Sequence, residues 1–403
     1  MKTDTDPKHI EAFLARGVEN VFPSKESFAR ALASGRQITV YMGIDPTGPT
    51  LHMGHAIPLM KLGALQAMGH EVIMLIGDFT AMIGDPSDKL AARKPLTRKQ
   101  VLENCKLYKK QASRFISFRG KNAARIVFNS KWLAKMSFGD VVELASHMTV
   151  DQMLKRDMFR ARMDSGKPVF LHEFLYPLMQ GYDSVALDTD AEIGGNDQTF
   201  NMLTGRDLMK DLKGKEKFVI ATKLLVDPTG KKMGKSEGNM ITMIDSATDM
   251  LGKVMSWPDS LIISGLELCT TVPDEAIAKE RAFLAGAGNP RDAKMRLASA
   301  VVEIYHGKDA AENAKTSFVS AFSSGQMPAE AREVSVDKGT PLIDVLVSNG
   351  VYGSRSLFKR GVTGGSIKNL KTGDKITTFD FKIESDLDIR AGQHEFLKIR
   401  IRR

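Results

Sequence analysis

Residues 38–76 limit the choice of fold more than any other part of the chain, because they alternate strand, turn, helix and strand. Residues 38–42 (Ile-Thr-Val-Tyr-Met) predict a short buried strand, and a loop rich in glycine and proline follows it. A helix with a periodic apolar face then runs to Gly69, and residues 72–76 predict a second buried strand. Strand, crossover helix and strand make a βαβ unit, so the sequence predicts an α/β fold with a parallel sheet.

The helix of this unit opens with His52-Met53-Gly54-His55. A helix N-terminus attracts anions through its free N–H groups and its dipole, and Gly54 allows a ligand to approach closely. Two imidazoles can also donate hydrogen bonds to charge that develops on a phosphate. The motif therefore indicates a phosphate site, with two surface histidines beside a glycine as the alternative interpretation.

A second motif, Lys232-Met233-Gly234-Lys235-Ser236, follows a turn-rich stretch at residues 227–230. Paired lysines on a mobile loop can neutralise the β- and γ-phosphates of ATP as these leave as pyrophosphate. A charged hairpin tip is the alternative interpretation. Together, in this order, the two motifs predict one ATP site and adenylate chemistry, in which a carboxylate attacks the α-phosphate.

Basic residues concentrate toward the end of the chain. Residues 341–403 hold 12 Lys and Arg against 7 Asp and Glu, which gives over half of the chain's net charge of +9. A basic terminal module is typical of nucleic-acid binding. A solvated surface is the alternative interpretation.

The two cysteines, Cys105 and Cys269, lie far apart and indicate neither a disulfide framework nor a metal site. No apolar run reaches the roughly 18 residues that a membrane helix needs. The first residues lack the apolar core of a secretory signal. We therefore expect a cytoplasmic protein without a membrane partner.

Four further blocks of sequence accompany the two motifs in a fixed order. They are Tyr-Met-Gly-Ile-Asp-Pro-Thr at 41–47, Ile-Gly-Asp-Pro-Ser at 83–87, Tyr-Pro-Leu-Met-Gln-Gly-Tyr-Asp at 176–183 and Ile-Gly-Gly-Asn-Asp-Gln at 193–198. With these six blocks in order, the chain resembles the class I aminoacyl-tRNA synthetases, and among them the bacterial-type tyrosyl-tRNA synthetases. The resemblance covers essentially the whole chain.

The resemblance implies a pocket for L-tyrosine made of six side chains, which are Tyr41, Asp85, Tyr176, Gln180, Asp183 and Gln198. Tyr41 and Asp183 would hydrogen-bond the phenol hydroxyl of the substrate. Asp85, Tyr176 and Gln180 would hold its ammonium group. Gln198 would lie near the reacting carboxylate. The spacing of Tyr176, Gln180 and Asp183 places them on one helix face, where three polar side chains are costly unless they serve a ligand.

The resemblance also implies an ATP site. Asp45, Thr47, His52, Gly54 and His55 would contact the phosphates and the base-side pocket, Gly195 and Asp197 the ribose, and Lys89, Arg93, Lys232, Lys235 and Ser236 the pyrophosphate. The catalytic residues among these would be Thr47 with the two histidines and the two motif lysines. Because the substrate carboxylate is already ionised, positioning and charge stabilisation suffice. Mg²⁺ would accompany ATP, and we expect no tightly bound cofactor.

The chain is predicted to divide into five segments. These are a Rossmann-like catalytic domain at 1–226 with a helical insertion near 120–185, a mobile loop with the lysine motif at 227–245, an α-helical anticodon-arm domain at 246–325, a linker at 326–338 and a small α+β domain at 339–403. The last domain resembles S4-type RNA-binding domains, in which Arg355, Lys359 and Arg360 would contact phosphates. The resemblance further implies a homodimer that binds tRNA(Tyr).

Three other functions fit parts of the pattern. A tryptophan-specific synthetase of the same architecture would not need the pair of Tyr41 and Asp183, and an S4-like tail would be unexpected in it. A non-catalytic RNA-binding protein on a former synthetase scaffold would have no use for intact histidine and lysine motifs. A small-molecule nucleotidyltransferase could share the histidine motif, but the lysine motif and the basic tail disfavour it.

Overall fold

A computed structural model describes most of the chain as two compact units. The described residues are 2–87, 95–226, 240–323, 331–392 and 395–402. The first unit comprises Met1–Asp245 and Trp257–Ala300, and the second comprises Ser246–Ser256 and Val301–Arg403. No helix among the described residues is both long enough and apolar enough to span a membrane.

Six described strands form the sheet of the first unit. They are β1 (Val18–Phe22), β2 (Thr39–Ile44), β3 (Glu71–Ile76), β4 (Arg125–Phe128), β5 (Ala191–Gly195) and β6 (Phe218–Thr222), in the order β1-β6-β5-β2-β3-β4. The five strands from β6 to β4 pair in parallel, which confirms the predicted α/β fold. Strand β1 pairs antiparallel with β6 at one edge and was not predicted, because its burial does not alternate.

Helices cover the sheet and extend beyond it. In chain order the first twelve are α1 (Pro7–Ala15), α2 (Lys25–Ala33), α3 (Met53–Ala67), α4 (Thr80–Ile83), α5 (Arg98–Cys105), α6 (Tyr108–Ala112), α7 (Ser130–Leu133), α8 (Phe138–Ser146), α9 (Val150–Leu154), α10 (Asp157–Asp164), α11 (Leu171–Leu187) and α12 (Thr199–Lys213). A short 3-10 helix over Asn196–Gln198 joins β5 to α12. Helices α11 and α12 pack closely against each other.

The helical insertion predicted near 120–185 is wrong at its start. Residues 125–128 form β4, which extends the sheet in parallel beside β3. This strand has only four residues, lies at the edge and is half-buried at most positions, so its sequence carries neither an alternating nor a continuous apolar signal. The helical part begins with α7 at Ser130.

Residues 246–323 are helical, as the composition predicts. The helices are α13 (Ala247–Met255), α14 (Ile262–Cys269), α15 (Asp274–Ala285), α16 (Pro290–His306) and α17 (Lys308–Ser323). Helices α14 and α15 belong to the first unit, whereas α13 and α17 belong to the second. The helical domain at 246–325 stays a prediction, because the division into compact units runs through it.

The second unit ends in a small α+β fold, as predicted. Its described elements are the strands β7 (Arg332–Val336), β8 (Thr340–Pro341), β9 (Ile367–Asn369), β10 (Lys382–Ile383), β11 (Leu387–Ala391) and β12 (Glu395–Ile401) and the helices α18 (Leu342–Ser348) and α19 (Arg355–Thr363). Four of the strands form a sheet in the order β7-β12-β11-β9. Its core contains the fully buried Leu346, Phe358, Ile389 and Ile399.

Candidate active site

The order of the strands locates a crevice at the carboxyl ends of β2 and β5. The chain proceeds from β2 to β3 and β4 on one side, and β5 and β6 lie on the other side, so the order reverses between β2 and β5. In open α/β sheets, ligands bind at such a switch point. Asp45 and Thr47 directly follow β2, and Gly195 and Asp197 stand where β5 passes into the 3-10 helix. Four residues predicted to contact ATP therefore flank this point.

The two motif histidines cap helix α3. His52 is the N-cap residue, and its Nδ1 accepts a hydrogen bond from the backbone N–H of Gly54 at 3.1 Å. His55 Nδ1 accepts from the backbone N–H of His52 at 3.2 Å, and the two rings lie 4.0 Å apart. Because each Nδ1 is an acceptor, the hydrogen-bond network assigns the proton of each neutral ring to Nε2. Both Nε2–H groups are thereby available as donors.

Burial keeps these imidazoles uncharged. It lowers the pKa of His52 below the usual value for histidine. It lowers the pKa of His55 further, and the neighbouring His52 adds to that shift because two like charges would repel. The pair therefore supplies neutral hydrogen-bond donors at physiological pH.

The segment that follows the lysine motif lies beside the histidines. Met53 N–H donates to Ile241 O at 3.0 Å, and Met243 N–H donates to Leu51 O at 2.9 Å. His52 and Thr242 form the bridge between them. The predicted site residues Lys89, Arg93, Lys232, Lys235 and Ser236 lie outside the described residues. The described part of the chain thus resumes at residue 240 beside the histidine motif.

Asp45 is held at the switch point by two hydroxyl donors. Tyr176 on α11 donates its Oη–H to Asp45 Oδ2 at 2.8 Å, and Thr80 donates to Asp45 Oδ1 at 2.7 Å. Gly77 makes room for this carboxylate, because a Cβ there would lie 2.0 Å from Asp45 Oδ1. The structure therefore brings together two predicted site residues from different elements, Asp45 and Tyr176.

Asp183 is buried with two N–H donors. Trp132 Nε1–H donates to Asp183 Oδ1 at 2.8 Å, and Asn129 Nδ2–H donates to Oδ2 at 3.3 Å. Burial raises the pKa of Asp183 well above its usual value, although both hydrogen bonds oppose the rise. Neither donor was predicted, because nothing in the local sequence around 129–132 points to a partner on α11.

Tyr41 lies on β2 with no exposed surface, and it packs with Ile73 and Leu75 into an apolar cluster. Its Oη is 2.7 Å from Ser184 Oγ. Burial raises the pKa of Tyr41 well above the usual value, and the charges of Glu192 and Asp183 add to the rise. The phenol of Tyr41 is therefore neutral and keeps its proton as a possible donor.

A chain of polar contacts joins the residues predicted to hold an amino acid. Gln198 Nε2–H donates to Asp85 Oδ2 at 2.9 Å, and Gly84, with a φ of 89°, turns the backbone that presents Asp85. Asn201 Nδ2–H donates to Gln180 Oε1 and to Gln198 Oε1, each at 3.0 Å. Gln180 and Gln198 are thus fixed in one amide orientation. Asn201 is a site residue that the sequence reasoning missed.

A buried ion pair behind the pocket comprises two further residues that the sequence motifs did not predict. Lys217, just before β6, and Glu192, on β5, are 0% and 1% exposed, and Lys217 Nζ lies 2.5 Å from Glu192 Oε2. Burial lowers the pKa of Lys217, and the charge of Glu192 opposes that shift. The sequence does contain a signal for this pair, because Glu192 lies within an apolar strand and Lys217 directly precedes one. Charged residues are almost never fully buried unless they are paired.

The basic residues predicted to bind RNA lie on α19 of the second unit. Lys359 and Arg360 are exposed, and Arg355 pairs with Asp344 at 2.5 Å while its side chain stays 70% exposed. Phe358 of the same helix is fully buried. Helix α19 therefore presents a solvated basic face.

A family model described as tRNA synthetases class I (W and Y) matches residues 33–323. The chain belongs to this family of aminoacyl-tRNA ligases. Its similarity to tyrosine-specific members extends over the full length. The tyrosine–tRNA ligase of Carboxydothermus hydrogenoformans is 41% identical over 413 residues, covering 99% of each chain. That of Thermotoga maritima is 40% identical over 398 residues, covering 98% of each chain.

A solved structure agrees with this similarity. A C-terminally truncated mitochondrial tyrosyl-tRNA synthetase of Coccidioides posadasii superimposes with a TM-score of 0.63 at 27% identity, over 76% of this chain and 91% of that one. The predicted resemblance to tyrosyl-tRNA synthetases is therefore confirmed.

Proposed function

We propose that this chain is a tyrosine–tRNA ligase. It joins L-tyrosine to ATP as tyrosyl-adenylate with release of pyrophosphate, and then transfers tyrosine to the 3′-terminal adenosine of tRNA(Tyr). The observation that best supports tyrosine as the substrate is that Tyr41 and Asp183 are both buried and lie near each other, since Tyr41 Oη is 2.7 Å from Oγ of Ser184, the next residue after Asp183. Each offers a polar group for a phenol hydroxyl. Tyr41 would donate to the phenol oxygen, and Asp183 would accept the phenol proton. Phenylalanine would leave both groups unpaired, which is costly in a buried site.

The first step needs no general base. The tyrosine carboxylate attacks the α-phosphorus, and the bond to the pyrophosphate oxygen breaks in line with it. Negative charge then grows on the phosphate oxygens beside α3, where the Nε2–H groups of His52 and His55 donate to it. The free N–H groups at the N-terminus of α3, with Gly54 among them, favour the same charge.

The ammonium group of tyrosine would lie among Asp85, Tyr176 and Gln180. Asp85 follows α4, whereas Tyr176 and Gln180 both lie on α11. The hydrogen bonds from Gln198 to Asp85 and from Asn201 to Gln180 support two of the three. Asp45, Thr47, Gly195 and Asp197 would hold ATP at the switch point. Positioning both substrates for in-line attack accounts for much of the rate enhancement in reactions of this kind.

Pyrophosphate would be held by Lys232, Lys235 and Ser236, with Lys89 and Arg93 in support. The pairing of Leu51–Met53 with Ile241–Met243 supports this proposal, because it places residues that follow the lysine motif in the chain beside the histidines. ATP would enter as its Mg²⁺ complex, so the metal comes with the substrate.

The second substrate would be held partly by the S4-like domain. Arg355, Lys359 and Arg360 would contact the phosphates of tRNA, and such contacts weaken as salt rises. We further propose a cytoplasmic homodimer with the helical insertion at its interface. Phe138 and Leu171 support that interface, because these large apolar side chains are 84% and 82% exposed in the single chain.

The position of Asp45 offers a first prediction. Gly77→Ala would place a Cβ within 2.0 Å of Asp45 Oδ1 and 2.5 Å of Thr80 Oγ1, so the carboxylate must move. We expect kcat/KM for ATP to fall about 10- to 100-fold, since small displacements in an active site have effects of that size. Gly43→Ala on β2 is the matched control, because its Cβ would meet only Leu75 at 3.9 Å. Equal activity of both variants would contradict the role of Asp45.

The function itself is tested by ATP–pyrophosphate exchange with tyrosine, phenylalanine or tryptophan in the absence of tRNA. Exchange with tyrosine alone is expected. Exchange with tryptophan would mean that Tyr41 and Asp183 are misassigned and that the chain is a tryptophan-specific synthetase. Folded protein that shows no exchange with any of the three, yet binds RNA, would support a non-catalytic scaffold.

A further inference from the structure

The buried ion pair of Lys217 and Glu192 is connected to the tyrosine pocket on two sides. Lys217 Nζ donates to Ser184 Oγ at 2.7 Å, and Ser184 Oγ lies 2.7 Å from Tyr41 Oη. On the other side, Gln180 Nε2–H donates to Glu192 Oε1 at 3.0 Å. The pair is therefore connected through Ser184 to Tyr41, which would read the phenol, and directly to Gln180, which would hold the ammonium group of the substrate.

The packing of α11 against α12 leaves space for the ammonium group of Lys217. A Cβ at Gly205 would lie 2.6 Å from Lys217 Nζ and 2.8 Å from Ser184 Oγ. Gly205 also lies against Gly181 of α11, where a Cβ would meet the Gly205 backbone at 3.1 Å. The two glycines let the helices approach closely and still admit the lysine between them.

The donors and acceptors of these side chains fix the direction of the hydrogen bonds from Lys217 through Ser184 to Tyr41. Lysine can only donate, so Ser184 Oγ must accept from Lys217. Among the described residues, Ser184 Oγ makes hydrogen bonds only to Lys217 and Tyr41. A buried hydroxyl proton without an acceptor is costly, and therefore Ser184 donates its proton to Tyr41 Oη. That leaves the proton of Tyr41 for another acceptor, which is the carboxylate of Glu192 in the free protein and would be the phenol oxygen of a bound tyrosine.

We propose that Lys217 and Ser184 are positioning residues for substrate selection, acting through Tyr41. Lys217 fixes Ser184 as a donor to Tyr41, so that Tyr41 directs its own proton to the phenol oxygen of the substrate. Asp183 then accepts the phenol proton, and the donors align in one direction from lysine to aspartate. Glu192 holds the lysine in place through its carboxylate. This assignment rests on the proposed specificity for tyrosine.

The competing explanation is that the ion pair only stabilises the fold. A buried pair of this kind is weak evidence for either role, because its net contribution to stability can be close to zero. A structural role predicts that changes at Ser184 alter the amount of folded enzyme without altering its choice between substrates. The positioning role predicts a change in choice that depends on the Tyr41 hydroxyl.

The decisive experiment is a double-mutant cycle between Ser184→Ala and Tyr41→Phe. For each protein, kcat/KM for tyrosine and for phenylalanine is measured by ATP–pyrophosphate exchange, normalised by active-site titration. In the Tyr41 background we expect Ser184→Ala to lower the tyrosine-to-phenylalanine ratio about 10-fold, the value of one well-placed hydrogen bond. In the Tyr41→Phe background the same change is expected to alter the ratio less than about 2-fold, because coupled residues are not additive.

A second variant tests the lysine without leaving a lone buried charge. Lys217→Met combined with Glu192→Gln is expected to lower the ratio by a similar factor while the KM for ATP stays within about 2-fold of the original. Ser299→Ala is the matched control, because Ser299 Oγ is buried and has no hydrogen-bond partner among the described residues. It is expected to leave the ratio unchanged.

Two results would overturn the proposal. One is an unchanged ratio in Ser184→Ala, and the other is a loss of equal size in both Tyr41 backgrounds. Ser184→Thr, which keeps the hydroxyl, is expected to restore most of the ratio, whereas failure to do so in folded protein would also count against it. Failure of the proposed function is separate, because the unmodified protein would then show no tyrosine-dependent exchange at all.

Discussion

Replacing Asp183 by asparagine is expected to raise the KM for tyrosine at least about 100-fold, because the variant loses a charged acceptor in a buried site. The same change is expected to make the free protein more resistant to urea. Asp183 is 3% exposed, and burial raises its pKa well above the usual value. An ionised carboxylate in that position is costly to bury, and we expect this cost to outweigh the one hydrogen bond, from Asn129 at 3.3 Å, that an amide NH2 cannot accept.

The pH dependence of both effects follows from the direction of the shift. A carboxyl group whose pKa is raised by folding binds its proton more tightly in the folded state, so its contribution to stability falls as pH rises above the unfolded pKa. The stability advantage of Asp183→Asn should therefore grow from acid toward neutral pH. In the unmodified enzyme, tyrosine affinity should fall on acidification at a higher pH than for an exposed aspartate, because the protonated group no longer accepts the phenol proton.

Asp188→Asn is the matched control for these measurements. Asp188 is the C-cap residue of the same helix and is exposed, and among the described residues its carboxylate makes only a surface ion pair with Lys215 at 3.3 Å. Such pairs contribute little, so we expect unchanged KM and stability. Unchanged tyrosine affinity in Asp183→Asn would show that the phenol is read by other groups, and a less stable variant would show that the carboxylate is structural.

Replacing His55 by asparagine is expected to lower kcat for adenylate formation about 100- to 1,000-fold, the range found when a positioned transition-state donor is removed. Asparagine Oδ1 can take the place of Nδ1 as the acceptor for the His52 N–H, so the cap of α3 should survive. The variant lacks the Nε2–H that, in the proposed mechanism, would donate to the phosphate. The dissociation constant of tyrosine should change little, since binding precedes the growth of charge.

His70→Asn separates this effect from the cost of removing a buried imidazole. His70 has no exposed surface, and its Nδ1 accepts from the Ile38 N–H at 3.4 Å. Rapid-quench measurement of tyrosyl-adenylate formation in both variants checks the expectation. A slow His70 variant with an unaffected His55 variant would contradict the role of the histidine motif. Because burial lowers the pKa of His55, acidification toward pH 6 should not increase the rate.

Much of the catalytic fold could be predicted because its signals are local. The βαβ unit at 38–76 has continuous apolar strands and a capped helix, and the structure contains both strands and α3 where the pattern placed them. The edges of the sheet were harder. Strand β1 acquires its partner β6 from about 200 residues further along the chain, and β4 is short and half-buried. Their formation depends on tertiary pairing rather than on local pattern.

The candidate site likewise contains residues that local sequence predicts and residues that only the fold brings together. Motifs predicted the residues that would meet substrates, because each motif lies within one turn or one helix. The supporting residues come from distant segments: Trp132 and Asn129 reach Asp183, and Lys217 reaches Ser184. Parallel pairing of Ala191 with Phe218 brings Glu192 close to Lys217, and this register cannot be deduced from either strand alone.

The burial of Lys217 and Glu192 also restricts which substitutions this sequence can accept during evolution. Losing either partner alone would leave an unpaired charge in the interior. This would lower the free energy of unfolding by about 3–5 kcal/mol, which is a large part of a domain's stability. A lineage can therefore abandon the pair only by changing both positions in close succession. Attempts to recode the enzyme for bulkier phenols meet the same barrier, so libraries that vary Ser184, Glu192 and Lys217 together should yield folded variants more often than one-position scans.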